Sequence, residues 1–109
     1  MGKRLAFERL VTKITKENLW LYISKMLLDR PMYAYEISKN VTTRFGFSIA
    51  TITVYVVLYK MQKEGLIRIR EIATLKGKPT RKYYELTDEG RQCLLKGAAF
   101  LQDVVHALS

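Results

Sequence analysis

The stretch SIATITVYVVLYKMQKEGLI, Ser48 to Ile67, decides the fold, because it can be read with two periods. Its first half alternates like a strand, with Ile52, Val54 and Val56 on one face and Thr51, Thr53 and Tyr55 on the other. From Val54 onward the apolar residues fall at Val54, Val57, Leu58 and Met61, the i, i+3, i+4, i+7 stripe of a helix that buries one side. The ends of the stretch favour the helix. Ser48 is placed to accept a hydrogen bond from an unpaired N–H of the first turn, and Gly65 suits a left-handed C-terminus. Lys60 and Lys63 stand in the last turns, where cations complement the helix dipole. The β-branched residues cost up to about 0.7 kcal/mol each relative to alanine, and burying the four stripe residues at roughly 1.5 to 3 kcal/mol apiece offsets that. The spacing therefore predicts a helix over Ile49 to Glu64. Steps of 100° then put Ile52, Val56, Tyr59 and Lys63 at the centre of its outer face, flanked by Thr53, Tyr55 and Lys60.

Outward from this helix, the periods change in an ordered way. Before it, Lys3 to Ile14 places Phe7, Leu10, Val11 and Ile14 on one helical face, and Lys16 to Asp29 repeats the pattern with Leu19, Trp20, Ile23, Met26 and Leu27. Pro31 ends the second helix by disfavouring helical geometry at Arg30. A third short helix fits Tyr33 to Arg44, with Tyr33, Ile37 and Val41 inward, and Gly46 breaks it. After Gly65 the period becomes two: LIRIREIAT alternates isoleucine with arginine, RKYYELT is a second strand, and Gly77 and Pro79 in LKGKPT mark the turn between them. Thr87 then caps a last helix whose first turn carries Asp88 and Glu89. The predicted architecture is mainly α with a small β-hairpin: a winged helix-turn-helix with core 19–86, with helices at 1–15 and 87–109, in one domain spanning 1–109.

Composition bounds the function. With 109 residues and 49% hydrophobic content, the chain has room for one modest core. Its longest apolar run, Val54 to Tyr59, is far short of a membrane span, and its start lacks the apolar block of a signal peptide, so a cytoplasmic, nucleoid-associated location without membrane contact is expected. The single cysteine, Cys93, excludes an intrachain disulfide or cysteine-based metal cluster within one chain and reads as a small core residue. The net charge of +9 is uneven: residues 83–109 carry Glu85, Asp88, Glu89 and Asp103 against Arg91 and Lys96, so the whole excess lies in residues 1–82. A basic body joined to an acidic end suggests a polyanion-binding surface plus a segment with another task; a solvated basic surface without a partner is the plain alternative. Catalysis lacks parts, since His106 is the only histidine and neither a metal-ligand cluster nor a phosphate-binding glycine loop is present. No metal, cofactor or enzymatic activity is expected.

Three stretches, RPMYAYEIS, TVYVVLYKMQKEGLI and above all GKPTRKYYELTDEGR, resemble the PadR family of transcriptional regulators in a short single-domain form, over about residues 19 to 91. Tyr35, Glu36 and Ile37 match the family's second-helix motif, Thr53 and Tyr55 its recognition-helix Thr-x-Tyr, and Tyr83, Tyr84, Leu86, Thr87 and Gly90 its wing-to-helix junction. The resemblance implies a homodimeric DNA-binding repressor acting on a pseudo-palindromic operator, in many members released by a small effector. The chain departs from the pattern at Ala34, where glycine is usual, and at Ile52 and Val56, where many members have glycine and proline.

The residues and the resemblance together give a candidate surface for double-stranded DNA. The recognition helix offers Ser48, Thr51, Ile52, Thr53, Tyr55, Val56, Tyr59, Lys60 and Lys63, the second helix Tyr35 and Lys39, and the wing Lys76, Lys78, Arg81 and Lys82. Threonine can bond base edges or phosphates, tyrosine phosphates, and Ile or Val can rest on thymine methyls. Packing of the same face against another protein, as a winged-helix interaction module in a transcription or replication assembly, is the alternative. In the last helix Leu94, Ala98, Leu101, Val105 and Leu108 form a seam with the 4-3-4-3 spacing of packed helix pairs. With Phe7, Leu10, Val11 and Ile14 of the first helix it is the candidate homodimer interface, unless both helices fold back on their own core; Gly97, Ala98 and Ala99 would permit close approach at the crossing. Trp20 is either a core residue or the lining of a pocket for a small aromatic or hydrophobic effector.

Overall fold

The computed structural model describes residues 5–72 and 81–109, and of 71 and 72 the backbone. The elements run α1 (Leu5–Ile14), a 3-10 turn (Lys16–Asn18), α2 (Leu19–Asp29), α3 (Ala34–Phe45), α4 (Thr51–Lys63), β1 (Ile67–Ile72), β2 (Arg81–Leu86) and α5 (Asp88–Ala107). The disputed stretch is helical. Val54, Leu58 and Met61 are buried and Val57 half-buried, so the 3.6-residue period governs all of α4. The core joins them to Leu19, Ile23, Met26 and Leu27 of α2, Ile37 and Val41 of α3, and Leu66, Ile67 and Tyr84 around the hairpin. Among the described residues Ser24 is the polar side chain buried there, and its hydroxyl has no hydrogen-bond partner among them.

The start of α4 corrects the sequence reading. Ser48 is exposed and two residues outside the N-cap, which is Ala50, and among the described residues no side chain caps the helix. The Ala50 carbonyl accepts from Thr53 N and Val54 N at 3.0 and 3.2 Å. Gly46, at φ 78°, turns the chain out of α3, and Phe47 and Ile49 pack against the core. Ser38 Oγ of α3 then donates to the Ile49 carbonyl at 2.8 Å. A hydroxyl from the preceding helix thus fixes the turn that Ser48 was expected to organise, and the helix begins at Thr51 rather than Ile49.

β1 and β2 pair antiparallel from Ile67↔Leu86 to Ile72↔Arg81. The sheet gains a third partner that periodicity does not reveal. Met32, just after Pro31, exchanges two backbone hydrogen bonds with Tyr84, at 3.1 and 2.8 Å, tying the α2–α3 connection to the hairpin. Arg68 and Arg70 both reach the Glu85 carboxylate across the strands. At the far end Thr87 caps α5 as expected: its Oγ1 accepts from Gly90 N at 3.0 Å and donates to the Gly65 carbonyl at 2.6 Å. A Cβ on Gly90 would lie 2.1 Å from the Leu66 carbonyl oxygen, so only glycine allows α5 to start this close to β1. The turn 73–80, with Gly77 and Pro79, and the chain before Leu5 lie outside the described residues.

Candidate nucleic-acid interface

Three elements converge on one surface. α3 and α4 pack against each other, and β2 runs beside the start of α3. A cleft between them is lined by Tyr33, Tyr35, Tyr55, Arg81, Lys82 and Tyr84. Four residues singled out on separate segments of the sequence, Tyr35, Tyr55, Arg81 and Lys82, therefore meet in space. The helical spacing turns Tyr33 inward, yet it belongs to the same cleft: it is half-buried, with the Arg81 guanidinium 4.4 Å from its ring centroid and the Tyr83 ring set edge-on at 5.5 Å. Such stacking holds the guanidinium in place at the base of the wing without neutralising it. The Tyr84 ring is core, and burial pushes its phenol above the ordinary value, so it stays uncharged.

The outer face of α4 extends from this cleft. Ile52 is 72% exposed and Val56 51%, with Tyr55 and Tyr59 bare beside them. Thr51 and Thr53 are half-buried at its edges. Lys60 and Lys63 are exposed at the C-terminal end, and the Lys63 ammonium lies 5.3 Å from the Tyr59 ring centroid. On α3 Lys39 is set in the same way, 5.6 Å over Tyr35. Glu36, matched to the family's second-helix motif, has a structural part: it pairs with Arg30 at 2.6 Å and accepts from the Tyr33 N–H at 3.4 Å, stabilising the first turn of α3. Lys76 and Lys78 lie outside the described residues.

The expected dimer residues form a second, apolar surface. Phe7, Leu10 and Val11 are exposed on α1, Ala98, Val105 and Leu108 on α5, with Ile14, Leu94 and Leu101 half-buried. Leu10, Val11 and Ile14 face Leu101, Val105 and Leu108 across a groove between the two helices. Leu95, Phe100 and Val104 are also bare, so the uncovered stripe of α5 is wider than its 4-3-4-3 seam. Gly97 does not serve that seam. A Cβ there would meet Leu21 and Trp20 of the same chain at 2.8 and 3.1 Å, so its small size lets α2 and α5 cross. Trp20 is half-buried in that crossing and its Nε1 donates to Asn18 Oδ1 at 3.3 Å. A neighbouring apolar groove between α2 and α5 is lined by Leu21, Tyr22, Leu28, Phe45, Leu94 and Leu101 rather than by Trp20.

A helix pair set at a tight turn, its second helix bare on the outside and flanked by an antiparallel hairpin, defines a winged helix-turn-helix. The model of the transcriptional regulator PadR-like family matches residues 23–96, and the chain belongs to that family. Among solved structures it is similar to a PadR-like transcriptional regulator from Bacillus cereus strain ATCC 14579, with 31% identity over 85% of this chain and 92% of that one and a TM-score of 0.67. A PadR family transcription regulator from hypervirulent Clostridium difficile R20291 is 29% identical over 82% of this chain and 95% of its own, with a TM-score of 0.68. Bacillus subtilis PadR, solved in complex with operator DNA, is 28% identical over 73% of this chain and 47% of that chain, with a TM-score of 0.67. No curated protein matches the sequence. Among the described residues no helix is long and apolar enough to cross a membrane.

Proposed function

We propose that the chain is a sequence-specific DNA-binding repressor that acts as a homodimer on a pseudo-palindromic operator in the cytoplasm. The observation that carries the reading is the face of α4: Ile52, Tyr55, Val56 and Tyr59 lie bare where a folded domain gains nothing from them, rimmed by Lys39, Lys60, Lys63, Arg81 and Lys82. A major groove rewards that arrangement, offering apolar thymine methyls and base edges at its floor and phosphates along both rims. The net charge of +9 has the sign a duplex needs. A related PadR has been solved with operator DNA. The single-domain reading of 1–109, with 19–86 as the DNA-binding core, leaves α1 and α5 for assembly.

The second copy is the occupant proposed for the apolar stripes of α1 and α5. Exposed contiguous apolar surface of this kind marks an association site, and a symmetric pair would set two α4 helices about one DNA turn apart. A small hydrophobic effector would have the α2–α5 groove beside the same stripe, next to Trp20 rather than upon it. Selection of bound duplexes from a random pool tests the reading. The expected outcome is an enriched inverted repeat whose binding weakens steeply with salt; weak binding without enrichment would favour a protein-interaction module instead.

A further inference from the structure

The major groove can be read by only a few side-chain chemistries. Guanine calls for Arg or Lys, adenine for Asn or Gln, cytosine for Asp or Glu, and the thymine methyl for an apolar contact. From Thr51 to Tyr59, α4 carries none of the first six residue types; the first is Lys60, at the C-terminal end. Recognition helices present their N-terminal residues to the base edges. At that end the chain offers hydroxyls and two strongly exposed aliphatic side chains, Ile52 and Val56, stacked one turn apart. These two are not part of the apolar groove between α1 and α5, so that surface does not account for them.

Resting on the DNA reading above, we infer that Ile52 and Val56 read thymine C5-methyl groups, and that each half-site of the operator carries thymines at the positions they meet. One helical turn rises about 6 Å over four residues, and successive base pairs are about 3.4 Å apart, so the two contacts fall within roughly two base-pair steps. The preference is for the methyl itself rather than for a hydrogen-bonding pattern.

The test removes the methyl and nothing else. A duplex selected from a random pool is resynthesised with each thymine in turn replaced by deoxyuridine, and its affinity is measured for the native chain and for the Ile52→Ala/Val56→Ala variant. At the contacted thymines the native chain should lose about four-fold in affinity per methyl, the equivalent of one buried CH₂ group. The variant should bind more weakly and be indifferent to the same replacements, since the two deletions remove one contact. Both positions are exposed, so its thermal melt should match that of the native chain. Uracil tolerated at every position, or an equal loss in the variant, would overturn the inference while leaving DNA binding intact. A pool that yields no enriched duplex would overturn the DNA reading and this inference with it.

Discussion

Val54 and Val56 are two residues apart on α4 and chemically identical, yet one is wholly buried and the other 51% exposed. The helical period assigns them opposite tasks, so Val54→Asp should unfold the protein, because it places an unpaired carboxylate in the core. Val56→Asp should leave the thermal melt near that of the native chain and abolish binding to the selected duplex, because it sets a negative charge against the groove. Equal unfolding of both would mean that the outer face of α4 is needed for the fold. Leu58→Ala belongs with Val54: it should cost about 2 to 5 kcal/mol in chemical denaturation and affect DNA only through unfolding. Gly90→Ala forces a Cβ into the Leu66 carbonyl, and a loss of roughly 1 to 3 kcal/mol is expected from so small a change.

The hairpin is the element whose charges do two separate things. Arg68 and Arg70 are turned onto Glu85, and the hydrogen bond from Arg68 with the field of both arginines holds that carboxyl below its ordinary value of 4.5. A carboxylate with a depressed folded-state value contributes stability that is complete above 4.5 and lost as pH falls through the lower folded value. Glu85→Gln should therefore flatten the acid limb of melting temperature against pH, and an unchanged limb would show that the pair contributes nothing. Arg81 and Lys82, at the base of the wing, make no ion pair among the described residues. Changing both to alanine should lower the slope of log K against log[salt] by about 0.9 for each phosphate contact they make, with the order of preferred sequences kept. An unchanged slope would remove β2 from the interface.

At the scale of the molecule, the chain is drawn out: its radius of gyration is 16.0 Å, against about 13 Å for a compact domain of 100 residues. The apolar residues of α1 and of the far half of α5 lie outside the buried core. Leu108 is 83% exposed and Val105 63%, so neither supports the winged domain from within. The pair Val105→Glu/Leu108→Glu should yield monomers by sedimentation, with the melt of the core retained and affinity for the two-half-site duplex falling to that of a single half-site. A variant that sediments as the native chain does would show that this stripe does not join two copies.

Much of the architecture follows from the chain alone, because period and punctuation are local. The stripe from Val54 to Met61, Gly46 and Gly65 at φ 78°, the alternation around Arg68 and Arg70, and the Thr87 cap each rest on residues a few positions apart, and each appears where the sequence puts it. The outer face of α4 was legible for the same reason, as the complement of a buried stripe. Contacts between distant segments were not. Nothing near Ser48 reveals that Ser38 bonds the Ile49 carbonyl, nothing in PMYAY reveals that Met32 pairs with Tyr84, and Tyr33 reads as core until Arg81 lies over it. Gly97 looks like part of a seam between chains until Trp20 and Leu21 fill the space beside it. Period tells which side of an element is buried, since that depends only on backbone geometry. Which partner buries it depends on how α2, α3, α5 and the hairpin pack around one core, and only the tertiary structure decides that.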